Sequence, residues 1–293
     1  KGLKSIVTVW RKIMQLSVSM WCLQSEFFKG KIDTEQFVEL ADRWGVKAVE
    51  LLDCFFKSEE EVDDIIWMLK RKNMVVSAYS ISNDFVVEEE KNLEEPIACV
   101  KAGIDRAVRL GTSNLRVFSG NPKEGISFEK GMERIIKGLR SCVSYAEGKG
   151  ITMVLENHGL FAGTASKVRN IIESIGSSNL RVNADTGNFL LVLENPVESI
   201  EQLKDRISFV HFKDFRSLEE PNGLESYTAI DGTLFQGTPA GKGDIDLKKI
   251  IKILCGAGYD GYLSLEYEGV GDPYEETKQS IDYLRKMLSR NDS

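Results

Sequence analysis

The 293-residue chain holds only two histidines and five cysteines. The cysteines, at positions 22, 54, 99, 142 and 255, form no CxxC pair, so neither a zinc knuckle nor a disulfide framework is indicated. Widely spaced thiols of this kind fit a reducing, cytoplasmic setting. No apolar run approaches the roughly 20 residues that span a bilayer, and the opening KGLKSIVTVWRK has too short an apolar stretch for a signal peptide. Runs of Lys and Arg interleaved with aromatics are also missing, and the net charge is -7, which excludes a general nucleic-acid binder. No disordered or collagen-like tract interrupts the chain. The expected partner is therefore a small polar molecule, with neither nucleic acid nor membrane involved, and a homo-oligomer is left open. With 42% hydrophobic and 28% charged residues, the chain can bury a sizeable core.

What is present is a repeated alternation. Short runs rich in β-branched residues recur at 15–21 (QLSVSMW), 46–52 (VKAVELL), 74–81 (MVVSAYSI), 114–120 (NLRVFSG), 151–157 (ITMVLEN), 179–185 (NLRVNAD), 207–213 (ISFVHFK) and 261–267 (GYLSLEY). Most are separated by segments of helical period, such as TEQFVELADRW and SEEEVDDIIWMLKRK, with acidic first turns and basic or glycine-marked ends. Several helix exits share a glycine just before the next strand (RWGVKAVEL, RLGTSNLRV, EGKGITMVL, GAGYDGYLSL), as a left-handed cap requires. Strict β-then-α alternation without a change in composition predicts an α/β fold, a single (β/α)8 TIM barrel over residues 1–293. The rival doubly wound sheet would need a glycine-rich phosphate loop after the first strand, and SMWCLQSEFFKGK is not one. Residues 217–245, rich in Gly and Pro and long for a helix-to-strand link, predict an elaborated loop over one face.

Alternation within a strand sorts side chains into inward and outward sets. With Glu156 inward, Thr152, Val154 and His158 share its face, while Ile151, Met153 and Leu155 face the helices. The same rule places Arg181, Asn183 and Asp185 inward on the next strand, Phe209, His211 and Lys213 on the seventh, and Ser264, Glu266 and Glu268 on the eighth. Glu156, Asp185, His211 and Glu266 thus fall near the C-terminal ends of successive strands, where barrel active sites are built. Three carboxylates in a low-dielectric interior repel one another and stay ionised only with positive charge among them. One divalent cation meets that need. Three oxygens and an imidazole nitrogen suit Mn2+ as the expected ion, with Mg2+, Co2+ or Zn2+ as alternatives. Both histidines, His158 and His211, sit at such strand ends.

The motifs LENHG, NADTGN, VHFKD, AGKGDIDLKKI and LSLEYEG, taken in order, resemble the xylose isomerase-like TIM-barrel superfamily, in its sugar and sugar phosphate isomerase and epimerase branch. RVFSG and SISNDF extend the resemblance over nearly the whole chain. That branch includes ketose 3-epimerases, hydroxypyruvate isomerase and inosose dehydratase. The resemblance implies a metal held by Glu156, Asp185, His211 and Glu266, with Glu156 and Glu266 as the catalytic acid and base. The implied chemistry is carbohydrate isomerisation or epimerisation by proton transfer through a metal-stabilised enediolate. A dehydratase expelling a β-hydroxyl with the same metal and base is the alternative. A zinc-cluster DNA repair enzyme of the same superfamily would need many more histidines, and a non-catalytic sugar binder would not need both Glu156 and Glu266.

One position departs from the family pattern. Many ketose epimerases continue Asp-x-x-His where this chain has Asp185, Thr186, Gly187 and Asn188. Asn188 can bond a sugar hydroxyl but carries no proton at neutral pH, and His158 stands close enough in sequence to Glu156 to compensate. Lys213 and Arg216 are candidates to hold an anionic group of the substrate, or else Lys213 pairs internally with Asp214 or Glu268. Glu268 is expected to accept a hydroxyl or to partner Lys213. GKGDID (241–246) has the spacing of a loop that caps the site, with Asp246 starting the next helix. Trp21 and Phe118 sit near strand tops, as sugar-stacking or core residues.

Overall fold

The structure is a computed structural model and describes residues 14–290. The N-terminal stretch read above for a signal peptide lies outside the described residues. Parallel strands β1 (Gln15–Ser19), β2 (Ala48–Leu52), β3 (Val75–Ser80), β4 (Asn114–Val117), β5 (Thr152–Glu156), β6 (Leu180–Asp185) and β7 (Ile207–Phe212) follow one another around a barrel. An antiparallel excursion then intervenes, made of β8 (Asp214–Leu218), β9 (Tyr227–Thr228) and β10 (Leu234–Thr238). Strand β11 (Tyr262–Leu265) closes the barrel by pairing with both β7 and β1. The predicted (β/α)8 barrel is therefore the observed fold, and all eight predicted strands are present.

The helices are α1 (Gln24–Phe28), α2 (Thr34–Arg43), α3 (Glu59–Lys72), α4 (Glu94–Leu110), α5 (Phe128–Gly148), α6 (Gly159–Ala162), α7 (Ala165–Ile175), α8 (Asn188–Leu191), α9 (Pro196–Leu203), α10 (Leu247–Gly256) and α11 (Pro273–Arg290). Their ends follow the local chemistry. Asp33 and Gln36 form a reciprocal capping box at the start of α2. Ser58 caps α3, whose first turn is Glu59, Glu60 and Glu61 and whose last is Lys70, Arg71 and Lys72, matching the helix dipole at both ends. Gly111 leaves α4 at φ 75°, and Asn73 takes the same left-handed position after α3 at φ 52°.

Strand parity sets the layers. Outward Met153, Leu155, Val182, Ala184, Val210, Phe212, Leu263 and Leu265 belong to the large core between sheet and helices. Inward Ala78, Val154 and Phe209 form a separate small cluster inside the barrel, with Tyr262 against it. This apolar plug fills the middle of the barrel, and the next inward layer is polar: Glu50, Ser80, Asn183, His211 and Ser264, all buried. The register of β2 shifts at Val49/Glu50 and that of β6 at Val182/Asn183, just below that layer, where a bulge re-aims the side chains that follow.

The predicted loop at 217–245 is more ordered than a loop. It carries the sheet β8-β10-β9, which starts before it at Asp214 and has its own apolar cluster of Phe215, Ala229 and Phe235. Asp214 anchors its far end by accepting hydrogen bonds from the Gly241, Gly243 and Ile245 amides at 2.8, 3.0 and 3.3 Å. Asp246 caps α10 through the Lys249 amide at 3.0 Å, as its spacing predicts.

Candidate active site

Four strand ends bring the predicted ligands together. Asp185, the last residue of β6, pairs in register with His211 near the end of β7, and His211 pairs with Ser264 of β11, which places Glu266 one step higher. Around His211 Nδ1 lie Glu266 Oε1 at 3.4 Å, Glu156 Oε2 at 3.5 Å and Asp185 Oδ2 at 3.8 Å. The ligand-type atoms of Glu156, Asp185 and His211 lie within 4.8 Å of one another, as do those of Glu50, His211 and Glu266. All of these side chains are buried.

Three of the four predicted ligands are held by groups around them. Asp185 Oδ1 accepts the amides of Gly187 and Asn188 at 2.8 and 3.0 Å, which turns its other oxygen toward His211. Asn157 clamps the same strand end, donating to the Asp185 carbonyl at 3.0 Å and accepting its amide at 2.6 Å. Glu156 receives the Asn188 side-chain amide at 3.0 Å and faces Arg116 Nε at 3.3 Å. His211 Nε2 bonds Glu50 Oε1 at 2.9 Å.

The residues fit a divalent cation on two counts. The donor set is three carboxylates and an imidazole, a combination suited to hard or borderline ions. Asp185 Oδ2 is buried and accepts no hydrogen bond of good geometry, although Lys213 Nζ stands 2.9 Å away. That single ammonium is shared among Asp185, Glu266 and Glu268, so the oxygen still has room for a further positive partner.

Without an ion, the charge is balanced by protons. Burial works against a positive ring at His211, but the Glu266, Glu50 and Glu156 carboxylates outweigh it and push its pKa up to about 10. Lys213 is driven well above its ordinary value; burial opposes this, and Asp185, Glu268 and Glu266 override it. Burial raises Glu266 to about 7 against the pull of His211 and Lys213. Glu50 goes the other way: burial would raise it, but the His211 charge and hydrogen bond, with Ser80, bring it to about 2.

Above the cluster is a cavity of about 160 Å3, lined by Glu156, Glu266, Glu268, Lys213, Asn188 and His158 on its polar side. Trp21, Phe118, Leu191 and Tyr227 form its apolar walls. Lys213 Nζ contacts Asp185, Glu266 and Glu268 at 2.9, 3.1 and 3.0 Å, so its internal partner is Glu268 and not Asp214. Glu268 also accepts Trp21 Nε1 at 2.5 Å. His158 is exposed at the rim, its ring 4.8 Å from that of Phe118. Arg216 does not join the others: it is exposed on β8, and its guanidinium donates to the Lys242 carbonyl at 2.5 Å. Its odd-numbered neighbour Phe215 takes the buried face there, because β8 belongs to the antiparallel sheet and not to the barrel.

Sequence reasoning gave no role to Glu50, Arg116 or Asn157, and it placed Asn183 inward without assigning it a part in the site. The signal for two of them was present, since Glu50 in VKAVELL and Arg116 in NLRV are charged residues in the middle of apolar strands.

A parallel (β/α)8 barrel with a buried carboxylate–imidazole cluster at its C-terminal mouth defines a class of protein, and comparison gives the family. The profile described as xylose isomerase-like TIM barrel matches residues 38–287, and the chain belongs to that family. Among curated proteins it is similar to an inosose dehydratase of Lacticaseibacillus casei, 28% identical over 165 residues, which are 54% of this chain and 55% of that protein. The chain thus spans about half the length of the curated relatives it matches. Among solved structures, an L-ribulose 3-epimerase superposes with a TM-score of 0.76 at 15% identity, covering 95% of each chain. A xylose isomerase-like TIM barrel protein from Mycobacterium smegmatis, in complex with magnesium, gives 0.73 at 16% identity, over 94% of this chain and 97% of that one. Likeness at these identities concerns the fold.

Proposed function

We propose that this chain is a divalent-metal-dependent isomerase or epimerase of a small carbohydrate or sugar phosphate, which moves a proton at a carbon next to a carbonyl. The observation that carries the reading is the pair of buried carboxylates, Glu156 and Glu266, that converge on one imidazole nitrogen from strands three places apart in the barrel. A substrate in the cavity above them presents one face of its reacting carbon to each. Glu156, Asp185, His211 and Glu266 would hold the ion, with Mn2+ expected and Mg2+, Co2+ or Zn2+ chemically compatible. When bound there, a divalent ion supplies Lewis acidity toward a carbonyl and its neighbouring hydroxyl.

The chain's own residues do the rest. One of Glu156 and Glu266 removes the proton and the other returns one, to the opposite face for epimerisation or to the neighbouring carbon for isomerisation. Asn188 orients Glu156 through its amide and offers its remaining hydrogen-bonding capacity to a hydroxyl. Lys213, Glu268 and His158 line the path of the remaining hydroxyls, and Trp21 and Phe118 give flat apolar walls against which a sugar can pack.

Similarity to inosose dehydratases favours a second reading, in which the same proton abstraction is followed by loss of a β-hydroxyl from a keto-inositol. In that reading the carboxylate that took the proton, Glu156 or Glu266, would return it to the departing hydroxyl. One experiment separates the two: metal analysis of the purified protein, then incubation in D2O with saturating Mn2+ and a panel of ketoses, keto-inositols and their phosphates. Deuterium entering a substrate of unchanged formula supports isomerisation or epimerisation. Loss of water with a new absorbance from an unsaturated ketone supports dehydration. Neither signal across the panel, in protein that binds no metal, removes both readings.

A further inference from the structure

Glu50 is buried completely in the middle of β2 and bonds His211 at Nε2, whereas Glu156, Asp185 and Glu266 gather around Nδ1; one of its oxygens also lies within 4.8 Å of one of Glu266. Its two oxygens accept three hydrogen bonds: Ser80 Oγ to Oε1 at 2.5 Å, His211 Nε2 to the same oxygen at 2.9 Å, and Ser264 Oγ to Oε2 at 2.7 Å. The two serines come from β3, which pairs directly with β2, and from β11, which lies beyond β1 on the other side, so with His211 of β7 the carboxylate is tied to three other strands. It is not placed to share a substrate, because it does not line the cavity.

The arrangement dictates where a proton sits on His211. A carboxylate that takes hydrogen bonds from two hydroxyls is an acceptor toward its third partner as well, so Nε2 must be the nitrogen that carries hydrogen. A neutral ring then has Nδ1 bare, and Nδ1 is the atom facing Glu156, Asp185 and Glu266. The Asn183 side-chain nitrogen lies 3.2 Å from Nδ1 and 3.3 Å from Nε2, so it favours neither tautomer, and Glu50 is the group that sets the choice. We infer that Glu50 is a positioning residue: it locks the His211 ring in the tautomer and orientation that leave Nδ1 free to ligate a cation. Anchoring an imidazole by a carboxylate on its second nitrogen also makes the first a stronger donor. This role rests on the metal reading of the site given above.

The chain's two histidines make the test direct, because a protein labelled with 15N in histidine shows only two imidazole rings. His158→Asn assigns them by subtraction. The full-length wild-type protein is expected to show a hydrogen-bonded Nε2–H on His211 both without and with Mg2+, and a bare Nδ1 in the Mg2+ form. Glu50→Leu removes the acceptor; it should release that Nε2–H to exchange and weaken Mg2+ binding, read by calorimetry, by about 10–100-fold. Glu50→Gln keeps a carbonyl acceptor and should restore the tautomer and most of the affinity. The Ser80→Ala, Ser264→Ala double variant controls for a merely structural role and for a Glu50→Leu protein that fails to fold. It strips Glu50 of its other partners, yet should keep the wild-type His211 signal and near wild-type Mg2+ affinity. A wild-type protein that binds Mg2+ with hydrogen on Nδ1, or a folded Glu50→Leu protein with undiminished affinity, would overturn this inference alone. A wild-type protein that binds neither Mg2+ nor Mn2+ would overturn the proposed function together with it.

Discussion

On the proposed reading, single substitutions should divide the polar layer into groups that do chemistry and groups that aim them. Glu266→Gln keeps the shape and the contacts to the cavity but removes proton transfer, so solvent deuterium exchange should fall by roughly 10^2–10^4-fold with an unchanged circular dichroism spectrum. Full exchange in that variant would remove Glu266 from the acid–base pair. Asn188→Ala is a milder case. It takes away the 3.0 Å bond to Glu156 Oε1 but no charge, so kcat should drop about tenfold, the equivalent of one hydrogen bond to a charged group, while thermal stability barely moves. That outcome would make the residue that departs from the family's usual His an orienter of the carboxylate beside it. His211, Asp185 and Glu156 were legible in the sequence because each is the last or next-to-last inward residue of a strand whose outward positions are apolar. Glu50 and Arg116 escaped for the opposite reason. Glu50 sits in a short strand with apolar neighbours on both parities, Arg116 shares its parity in a four-residue strand with Asn114 alone, and only packing across the barrel shows what each meets.

At the scale of elements, the barrel strands could be read from their β-branched runs and the helices from their acidic starts and glycine ends, since these signals are local. The sheet β8-β10-β9 could not. Strand β9 is two residues long, and the turns between its partners are rich in the Gly and Pro that ordinarily mark loops. Its importance is positional. Gly237 of β10 bridges to Gly269, just past β11, and a Cβ at Gly237 would overlap the Glu268 carbonyl, a backbone atom that cannot step aside. The sheet therefore presses on the strand end that carries Glu266 and Glu268. Gly237→Ala should cost roughly 1–3 kcal/mol through overpacking and raise KM by shifting Glu268 from Lys213 and Trp21. Thermal unfolding and steady-state kinetics measured on the same sample check both effects, and a variant with wild-type Tm and KM would show that the excursion is independent of the site. Phe209 tests the layer beneath. Its fully buried ring stands edge-on to His211 with centroids 5.7 Å apart. Phe209→Ala should destabilise by roughly 3–5 kcal/mol, because the plug inside a closed barrel has little room to collapse.

For the whole molecule, the site is a concentration of buried charge that the rest of the barrel must tolerate. Glu50, Glu156, Asp185 and Glu266 surround one imidazole, and in the ion-free protein the ring is kept positive. The sign of the consequence follows from linkage. A histidine whose pKa rises from 6.5 unfolded to about 10 folded contributes stability that is fully present below 6.5 and is lost as pH climbs through about 10. The slope from one such group is at most about 1.4 kcal/mol per pH unit. The depression of Glu50 to about 2 describes the same ion pair from its other side. Its stabilisation is present above 4.5 and is lost as pH falls toward about 2, so the two shifts are not to be added. Chelator-treated protein should therefore show a falling Tm between pH 6.5 and 9. Saturating Mg2+ should flatten that slope, because positive charge delivered by the ion no longer depends on a proton. By the same reasoning the ion displaces the His211 proton, so binding at pH 7 should release protons, and calorimetry in buffers of different ionisation enthalpy counts them. Comparing the two forms cancels the titration of surface lysines and tyrosines common to both. Equal slopes with and without Mg2+, together with no proton release, would mean that the ion and the His211 proton do not compete, and the four strand ends would then be an internal salt-bridge network and not a metal centre.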